Sequence, residues 1–229
     1  MPLYVLGDPH LSFGVDKPMD IFQGWGNYVE KLEQNWRNTV SDEDNVVLAG
    51  DISWGMNLNE TLPDFKFIDA LPGKKIILKG NHDYWWDTKT KIERFFSENE
   101  IATISILFNN AYRVGDVAVC GTRGWFYDAH APHDEKILNR EVGRLKASID
   151  AARKLGGEAV VFLHYPPVFA GKECPEIMNV LLEYGIKRCY YGHLHGSRIS
   201  SLANVGNYKG VEFKLISCDN TQFKPIPVG

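Results

Sequence analysis

Short apolar runs that each end in polar residues recur along the chain, and this pattern constrains the fold more than any other feature of the sequence. The clearest run is Ile76-Ile77-Leu78, which is followed after one lysine by Gly80-Asn81-His82-Asp83. Burying an amide, an imidazole and a carboxylate there without partners costs free energy, so these residues are not expected in a core that only stabilises the fold. The pattern therefore predicts a reactive site at the ends of buried strands.

Strand-like and helix-like segments alternate in the first half of the chain and again after residue 130, with hairpin-like segments between and at the end. We predict strands over 3–6, 46–49, 75–79, 104–108, 112–114, 117–120, 159–163, 188–191, 211–216 and 222–226. Apolar residues at three- and four-residue spacing predict helices over 25–40, 58–70, 89–98, 137–155 and 177–183.

Turn residues refine this prediction. Pro63 is expected to interrupt the second helix, and Gly156-Gly157 to end the long fourth one. Asn109-Asn110 and Gly115-Asp116 are typical of hairpin turns, and the last two strands are expected to form a final hairpin. No linker or repeat is visible, so we predict a single α/β domain over residues 1–229 with mixed sheets rather than a purely parallel sheet.

The charge balance gives no signal for nucleic-acid binding. The 229 residues include 25 basic and 29 acidic side chains, with a net charge of −4 and no long run of either sign. Sequence-independent binding to DNA or RNA usually needs a basic face, so nuclease action on long nucleic acids has no support.

The remaining composition predicts a cytoplasmic protein that does not enter a membrane. No apolar stretch approaches the length of a membrane span, and the N-terminal residues are typical of a first strand rather than of a signal peptide. The four cysteines are far apart in the sequence and include no C-x-x-C pair, which favours reduced thiols.

Five predicted strands deliver carboxylate, imidazole and amide side chains to their carboxyl ends. These side chains are Asp8, His10, Asp51, Asn81, His82, His164, His193 and His195. In open α/β sheets ligands bind outside the carboxyl ends of the strands, so we expect the eight residues to meet. Five of the seven histidines stand in these clusters, which argues against coincidence.

The spacing and chemistry of these residues indicate a metal site. In extended backbone, residues two apart point the same way, so Asp8 with His10, and His193 with His195, could each hold one ion. Carboxylate, imidazole and amide oxygen without thiolate suit manganese, iron or zinc in a reactive site.

Taken in order, the motifs from residue 8 to residue 195 resemble those of the calcineurin-like metallophosphoesterase superfamily. The resemblance implies a four-layer sandwich of two mixed β-sheets flanked by helices, with two divalent or trivalent metal ions (Mn²⁺, Fe²⁺ or Fe³⁺, or Zn²⁺) at the sheet edge. It assigns the first metal to Asp8, His10 and His195, the second to Asn81, His164 and His193, and the bridging position to Asp51.

The activity that the resemblance implies is phosphoester hydrolysis by a hydroxide that bridges the two metals. His82 would protonate the departing oxygen, and Asp51 would lower the mutual repulsion of the cations. Asn81 and Arg123 are candidates for contacting the substrate phosphate. Many relatives place an aspartate three residues after the bridging one to orient the histidine, but this chain has Trp54 there, so what orients His82 stays open.

Other candidates keep two interpretations. Asp83 either supports Asn81 or a neighbouring loop, or is a structural residue, and Arg123 is either a phosphate anchor or part of a surface ion pair. The aromatic residues either line the pocket or belong to the core; they are Tyr84, Trp85, Trp86, Trp125, Phe126 and Tyr127. We expect His130 and His133 not to bind metal, and residues 125–133 to form a lid.

Three functions fit these observations. The first is hydrolysis of a small phosphomonoester or phosphodiester, and the second is a phosphoprotein phosphatase with the same metal chemistry. The third is a scaffold without catalysis, which is disfavoured because no ligand and no candidate acid has been lost. The substrate, the native metals and the oligomeric state stay open.

Overall fold

A computed structural model describes residues 2–125 and 132–229, with the backbone alone for 132–134. The strands are β1 (Leu3–Leu6), β2 (Asn45–Leu48), β3 (Lys74–Ile77), β4 (Ile104–Ile106), β5 (Tyr112–Val114), β6 (Val117–Thr122), β7 (Glu158–Leu163), β8 (Val168–Phe169), β9 (Lys172–Glu173), β10 (Arg188–Tyr191), β11 (Gly206–Tyr208), β12 (Val211–Leu215) and β13 (Ile226–Pro227). The helices are α1 (Tyr28–Thr39), α2 (Leu62–Asp69), α3 (Lys89–Glu98), α4 (Pro132–Leu155), α5 (Pro175–Glu183) and α6 (Ser197–Ser200).

The strands form two large mixed sheets and one small ribbon. The first sheet has the order β13-β1-β2-β3-β4, and the second has the order β11-β12-β10-β7-β6-β5. Strands β1 to β4 are parallel, as are β6, β7, β10 and β12, whereas β5, β11 and β13 pair antiparallel at the edges. Because neighbouring strands are parallel, their carboxyl ends meet at one edge of each sheet.

Three apolar layers hold the fold together. The first sheet packs on α1, α2 and α3 through a cluster centred on Trp36 and Phe65. The second sheet packs on α4 and α5 through a cluster that includes Leu145 and Met178. The two sheets pack on each other through Val47, Val160 and neighbouring residues, giving the predicted four layers.

This middle layer takes side chains from both sheets, which supports the proposal that residues 1–229 are one domain. The edges of the two sheets are also joined directly, because Gly7 N–H donates to the Ile216 carbonyl oxygen at 2.7 Å. The strand ends of both sheets therefore lie beside one another.

The helix patterns were predicted well where burial follows the period of a helix. Tyr28, Leu32 and Trp36 are the buried face of α1, and α3 begins after Thr88, whose hydroxyl accepts from Lys91 N–H. The C-terminal prediction for α4 is also confirmed, since Gly156 and Gly157 have φ of 71° and 82°, which glycine adopts at little cost.

Pro63 does not interrupt a helix, contrary to the prediction. Helix α2 begins at Leu62, so Pro63 lies in its first turn, where a missing N–H costs nothing because no acceptor exists there. Residues 58–61 form turns.

The hairpin at Asn109-Asn110 was predicted wrongly. Strands β4 and β5 lie in different sheets, and Asn110 closes the crossover between them: its Oδ1 accepts from Phe108 N–H at 2.6 Å and its Nδ2 donates to the Ile106 carbonyl at 3.1 Å. The chain does bend at this point, but turn-forming residues do not specify the strand with which the next segment pairs. The hairpin at Gly115-Asp116 is confirmed by β5 and β6.

The final hairpin was also wrong. Strand β12 pairs with β10 and β11, whereas β13 pairs with β1 of the other sheet. Phe223 lies in a turn and not in a strand. Its ring packs edge-on against Trp25, with ring centroids 5.1 Å apart.

The four cysteines, Cys120, Cys174, Cys189 and Cys218, are buried and unpaired, as predicted. Among the described residues, no helix combines the length and the hydropathy that crossing a bilayer requires.

Candidate metal centre

The structure brings the predicted strand-end residues together. Their ligand atoms form two groups, and within each group they lie within 4.8 Å of one another: Asp8, His10 and His195 in the first, and Asp51, His164 and His193 in the second. The first group joins β1 to β10, and the second joins β2 to β7 and β10. Convergence of distant strands at one edge is confirmed.

Asp51 lies between the two groups. Its Oδ2 is 3.5 Å from His164 Nε2 in one group and 3.7 Å from His10 Nε2 in the other. The carboxylate is almost completely buried, with 1% exposure. A bridging position for Asp51 fits these distances.

The backbone that presents these residues is not extended. Asp8, His10, Asp51 and His193 have φ of 58°, 47°, 51° and 71°, in the left-handed region that L-residues adopt at a cost of roughly 1–3 kcal/mol each. The predicted reason for the pairing of Asp8 with His10 was therefore wrong, although both residues lie in one group. The prediction that His193 and His195 could hold one ion was wrong as well, because they lie in different groups.

Hydrogen bonds at His164 show that its Nε2 is an acceptor. His164 Nδ1 lies 3.1 Å from the Ala49 carbonyl oxygen, which can only accept, so Nδ1 carries the proton of the neutral ring. Nε2 then faces Asn81 Oδ1, a second acceptor, at 2.6 Å. Two lone pairs in contact are unfavourable, and a cation that both atoms coordinate removes the conflict.

His195 has a similar support in the other group. Its Nδ1 lies 2.9 Å from Asp219 Oδ1 and donates to it, so the Nε2 of the neutral ring is free to bind a cation; this Nε2 lies 3.3 Å from His10 Nε2. Metal-binding histidines generally donate their second ring N–H to a carboxylate or carbonyl oxygen in this way. The donor set therefore fits two cations at this edge.

Sequence reasoning missed Asp219. It follows the carboxyl end of β12, which runs parallel to β10, and its Oδ2 also accepts from Gly196 N–H at 2.7 Å. The rule that ligands bind at the carboxyl ends of parallel strands would have identified Asp219 if β12 had been predicted to pair with β10.

Burial shifts the pKa values of the candidate metal ligands. It raises the pKa of Asp8 to about 8, with Asp51 adding to the rise and His195 opposing it, and raises the pKa of Asp51 to about 6. Burial also lowers the pKa of His164 and of His193 to about 3, which keeps both rings neutral and able to bind a cation.

His195 is the exception among the imidazoles. Burial alone would lower its pKa, but the hydrogen bond to Asp219 and the nearby Asp8 outweigh burial, so the net shift is upward.

Asp83 holds the loops that carry Asp51 and Asn81. Its carboxylate accepts from the backbone N–H groups of Asp51 at 2.9 Å, Ile52 at 2.8 Å and Gly80 at 2.7 Å. It thus ties the end of β2 to the end of β3. Gly80 is needed for this approach, because a Cβ there would lie 2.1 Å from Asp51 Oδ1.

His82 lies beside the bridging carboxylate, with its backbone N–H donating to Asp51 Oδ1 at 2.7 Å. Its Nδ1 is 3.2 Å from the Tyr84 hydroxyl, and its ring centroid is 4.5 Å from that of Trp54. Trp54 also stacks on His10, with ring centroids 4.9 Å apart. The ring position of His82 is thus fixed by aromatic packing and a tyrosine.

Burial lowers the pKa of His82, and Asp51 opposes the shift.

Arg123 is in a partly buried ion pair, not the surface pair that was one interpretation. Its guanidinium is 3.6 Å from the completely buried Glu141 and lies 4.9 Å above the Trp125 ring. Its carbonyl oxygen accepts from the backbone N–H of His164 at 3.2 Å. Contact with a substrate phosphate stays a prediction.

The aromatic candidates divide. Trp85 is core, packed edge-on against Phe65, whereas Tyr84 is half exposed beside His82. Trp86 is half-buried against Trp85. Phe126, Tyr127 and His130, the side chain of His133 and most of the expected lid lie outside the described residues.

Residues 1–197 match a family model described as calcineurin-like phosphoesterase. No protein of curated function matches the chain.

Solved structures share the fold at low sequence identity. A phosphopantetheinyl hydrolase from Mycobacterium tuberculosis has a TM-score of 0.53 and 13% identity, covering 99% of this chain and 95% of its own. The protein TT1561 of Thermus thermophilus has a TM-score of 0.56 and 11% identity, covering 84% of this chain and 81% of its own.

Proposed function

The chain belongs to the calcineurin-like phosphoesterase family of metal-dependent phosphoric ester hydrolases, and from that premise we propose that it hydrolyses a small phosphomonoester or phosphodiester at a centre of two metal ions. One ion would be held by Asp8, His10 and His195 and the other by Asn81, His164 and His193. Asp51 would contribute to both.

The observation that supports this proposal most is the position of Asp51 between two ligand groups, at 3.5 Å from His164 and 3.7 Å from His10. A carboxylate can offer one oxygen to each of two cations. When bound, two such cations activate water at neutral pH and neutralise the charge of the phosphate oxygens.

The protein's own residues orient the centre and move a proton. Asp83 fixes the backbone of Asp51 through three N–H groups, and Asp219 and the Ala49 carbonyl fix the tautomers of His195 and His164. We propose that His82 donates a proton to the departing oxygen of the ester.

The proposal is tested by hydrolysis of p-nitrophenyl phosphate and bis(p-nitrophenyl) phosphate after loading with Mn²⁺. We expect turnover that a chelator abolishes and that added Mn²⁺ restores. Binding of the metal without turnover of any phosphoester would contradict the proposal and favour the non-catalytic scaffold.

A panel of phosphopeptides, assayed beside these esters, separates the small-ester hydrolase from a phosphoprotein phosphatase. The small-ester proposal expects the peptides to be the poorer substrates.

A further inference from the structure

Two clefts adjoin the candidate metal centre. The Ile199 cleft has a volume of about 530 Å³ and is lined by apolar surface from Pro166, Phe169, Leu194 and Ile199, with Lys172 also in its wall. The Trp54 cleft has a volume of about 370 Å³ and is lined by Met19, Phe22, Trp25 and Trp54.

The two clefts meet at His195, which lines both of them. His193 of the second ligand group opens into the Ile199 cleft, and His10 of the first group opens into the Trp54 cleft. Each cleft thus borders one ligand group and has room for an organic group, so a phosphorus atom held between the groups lies within reach of both.

His82 distinguishes the two clefts. It lines the Trp54 cleft and does not line the Ile199 cleft. An acid must lie within hydrogen-bond reach of the departing oxygen, directly or through one water, so the leaving alcohol belongs in the Trp54 cleft. The Ile199 cleft then receives a substituent that stays on phosphorus.

Apart from Lys172 and the two histidines, the lining of the Ile199 cleft is apolar and favours an apolar substituent. Leu194 is buried there, whereas Ile199 is 41% exposed and would be covered by such a group. Apolar surface removed from water stabilises binding roughly in proportion to its area.

A phosphomonoester has no organic substituent besides its leaving group, and it would leave this cleft unused. We propose that the substrate is a phosphodiester whose retained arm is apolar and binds in the Ile199 cleft, an inference that rests on the proposed hydrolase function.

The reaction balances without any further reactant. Water adds its oxygen to phosphorus while the bond from phosphorus to the leaving oxygen breaks. His82 gives a proton to that oxygen and is reprotonated by one of the two protons of water, and the other is released. The products are the phosphomonoester of the retained arm and the free alcohol.

The test uses diesters with one leaving group and different retained arms: methyl p-nitrophenyl phosphate and phenyl p-nitrophenyl phosphate, beside p-nitrophenyl phosphate. For the Mn²⁺-loaded protein we expect kcat/KM for the phenyl ester to exceed that for the methyl ester by about 10-fold to 100-fold. The phenyl ester should also exceed the monoester.

Ile199→Asp probes the cleft, and Val205→Asp is its matched control, since Val205 is 62% exposed and does not line the cleft. Ile199→Asp should lower the phenyl-to-methyl ratio of kcat/KM about 10-fold or more, and Val205→Asp should leave this ratio unchanged. Equal changes in both variants would overturn the inference.

A binding measurement supplies a readout that does not depend on turnover. In calorimetry with the Mn²⁺-loaded His82→Ala variant, adding Ile199→Asp should weaken the binding of diphenyl phosphate, whereas adding Val205→Asp should leave it unchanged. Equal affinities for diphenyl phosphate with and without Ile199→Asp would overturn the inference.

The failure of this inference differs from the failure of the proposed function. Hydrolysis of the monoester or of phosphopeptides faster than the phenyl diester would overturn the diester inference and leave hydrolysis standing. No hydrolysis of any ester would overturn both.

Discussion

Two regions of the molecule bury ionisable groups, and they differ in how those groups find partners. Lys75 on β3 is completely buried, yet its Nζ donates to the carbonyl oxygens of Asp69 and Leu71 and to the Thr103 hydroxyl. This Lys75 cluster is complete, because the chain itself supplies an acceptor for each of the three protons.

The metal centre is built differently. Asn81 Oδ1 and His164 Nε2, both acceptors, face each other at 2.6 Å, and Asp51 is buried beside them. Four of its candidate ligands also have left-handed backbone, among eleven such non-glycine residues in the described part of the chain. Burial of an ionisable group alone therefore does not indicate a functional site, whereas buried acceptor atoms that face one another do.

Asp51→Asn should impair both turnover and metal binding. Losing the shared negative charge should lower kcat/KM by about 10³-fold or more, since charge stabilisation worth several kcal/mol is lost. Metal content by mass spectrometry should fall as well. Asp64→Asn is the matched control, because Asp64 is completely buried but pairs with Ser53 outside the centre. Equal metal content in the two variants would contradict a metal-binding role for Asp51.

His82→Ala should lower kcat roughly 10²-fold to 10⁴-fold for an alkyl leaving group while both metals stay bound. The loss should be much smaller for p-nitrophenolate, which hardly needs a proton. Rates with the two leaving groups measure this, and equal losses would remove His82 from the acid role.

Tyr84→Phe sharpens that test. It removes the hydroxyl that lies 3.2 Å from His82 Nδ1, and we expect a loss of up to about 10-fold with the same leaving-group dependence. A loss independent of the leaving group would show that the hydroxyl does not act through His82.

Asp219→Asn should weaken metal affinity by roughly 10-fold to 100-fold, because His195 loses the carboxylate that fixes its ring. Titration with Mn²⁺ measures the change. Asp116→Asn, at a fully exposed side chain, should leave affinity unchanged. An affinity unaffected by Asp219→Asn would contradict the assignment.

Lys75→Met should leave the metal centre unaffected. The free energy of unfolding should fall by about 1–3 kcal/mol, because oxygens of the Lys75 cluster lose their donor. Metal content and kcat per folded molecule should not change. Lys74→Met, on the exposed neighbour, should change neither stability nor activity measurably.

The Lys75 cluster also predicts a pH dependence. Burial lowers the pKa of Lys75 from 10.5 to about 8, so between these values the unfolded chain binds more protons than the folded one. The free energy of unfolding contributed by Lys75 therefore rises with pH from about 8 to 10.5 and is constant below. Denaturation of wild type and Lys75→Met across this window checks the sign.

Much of this architecture could be predicted from the sequence, because strands that are buried on both faces are read directly from apolar runs. The convergence of Asp8, Asp51 and His164 followed from the rule that parallel strands end at one edge. What failed was partner choice: the apolar pattern of β12 and β13 shows that they are buried but not which strand each pairs with.

The site residues divide in the same way. Ligand candidates at strand ends could be named, but the support from Asp219 and Tyr84 could not, since both depend on tertiary contacts. The left-handed backbone at Asp8 and His193 could not be predicted either, because neither residue type requires it.

The most direct test of the account is the number of metal ions that the centre binds. Calorimetric titration of the metal-stripped wild-type protein with Mn²⁺ should give two equivalents per chain, and one or none after Asp51→Asn. The account would be contradicted if the wild type bound no Mn²⁺, or if Asp51→Asn bound two equivalents with unchanged affinity.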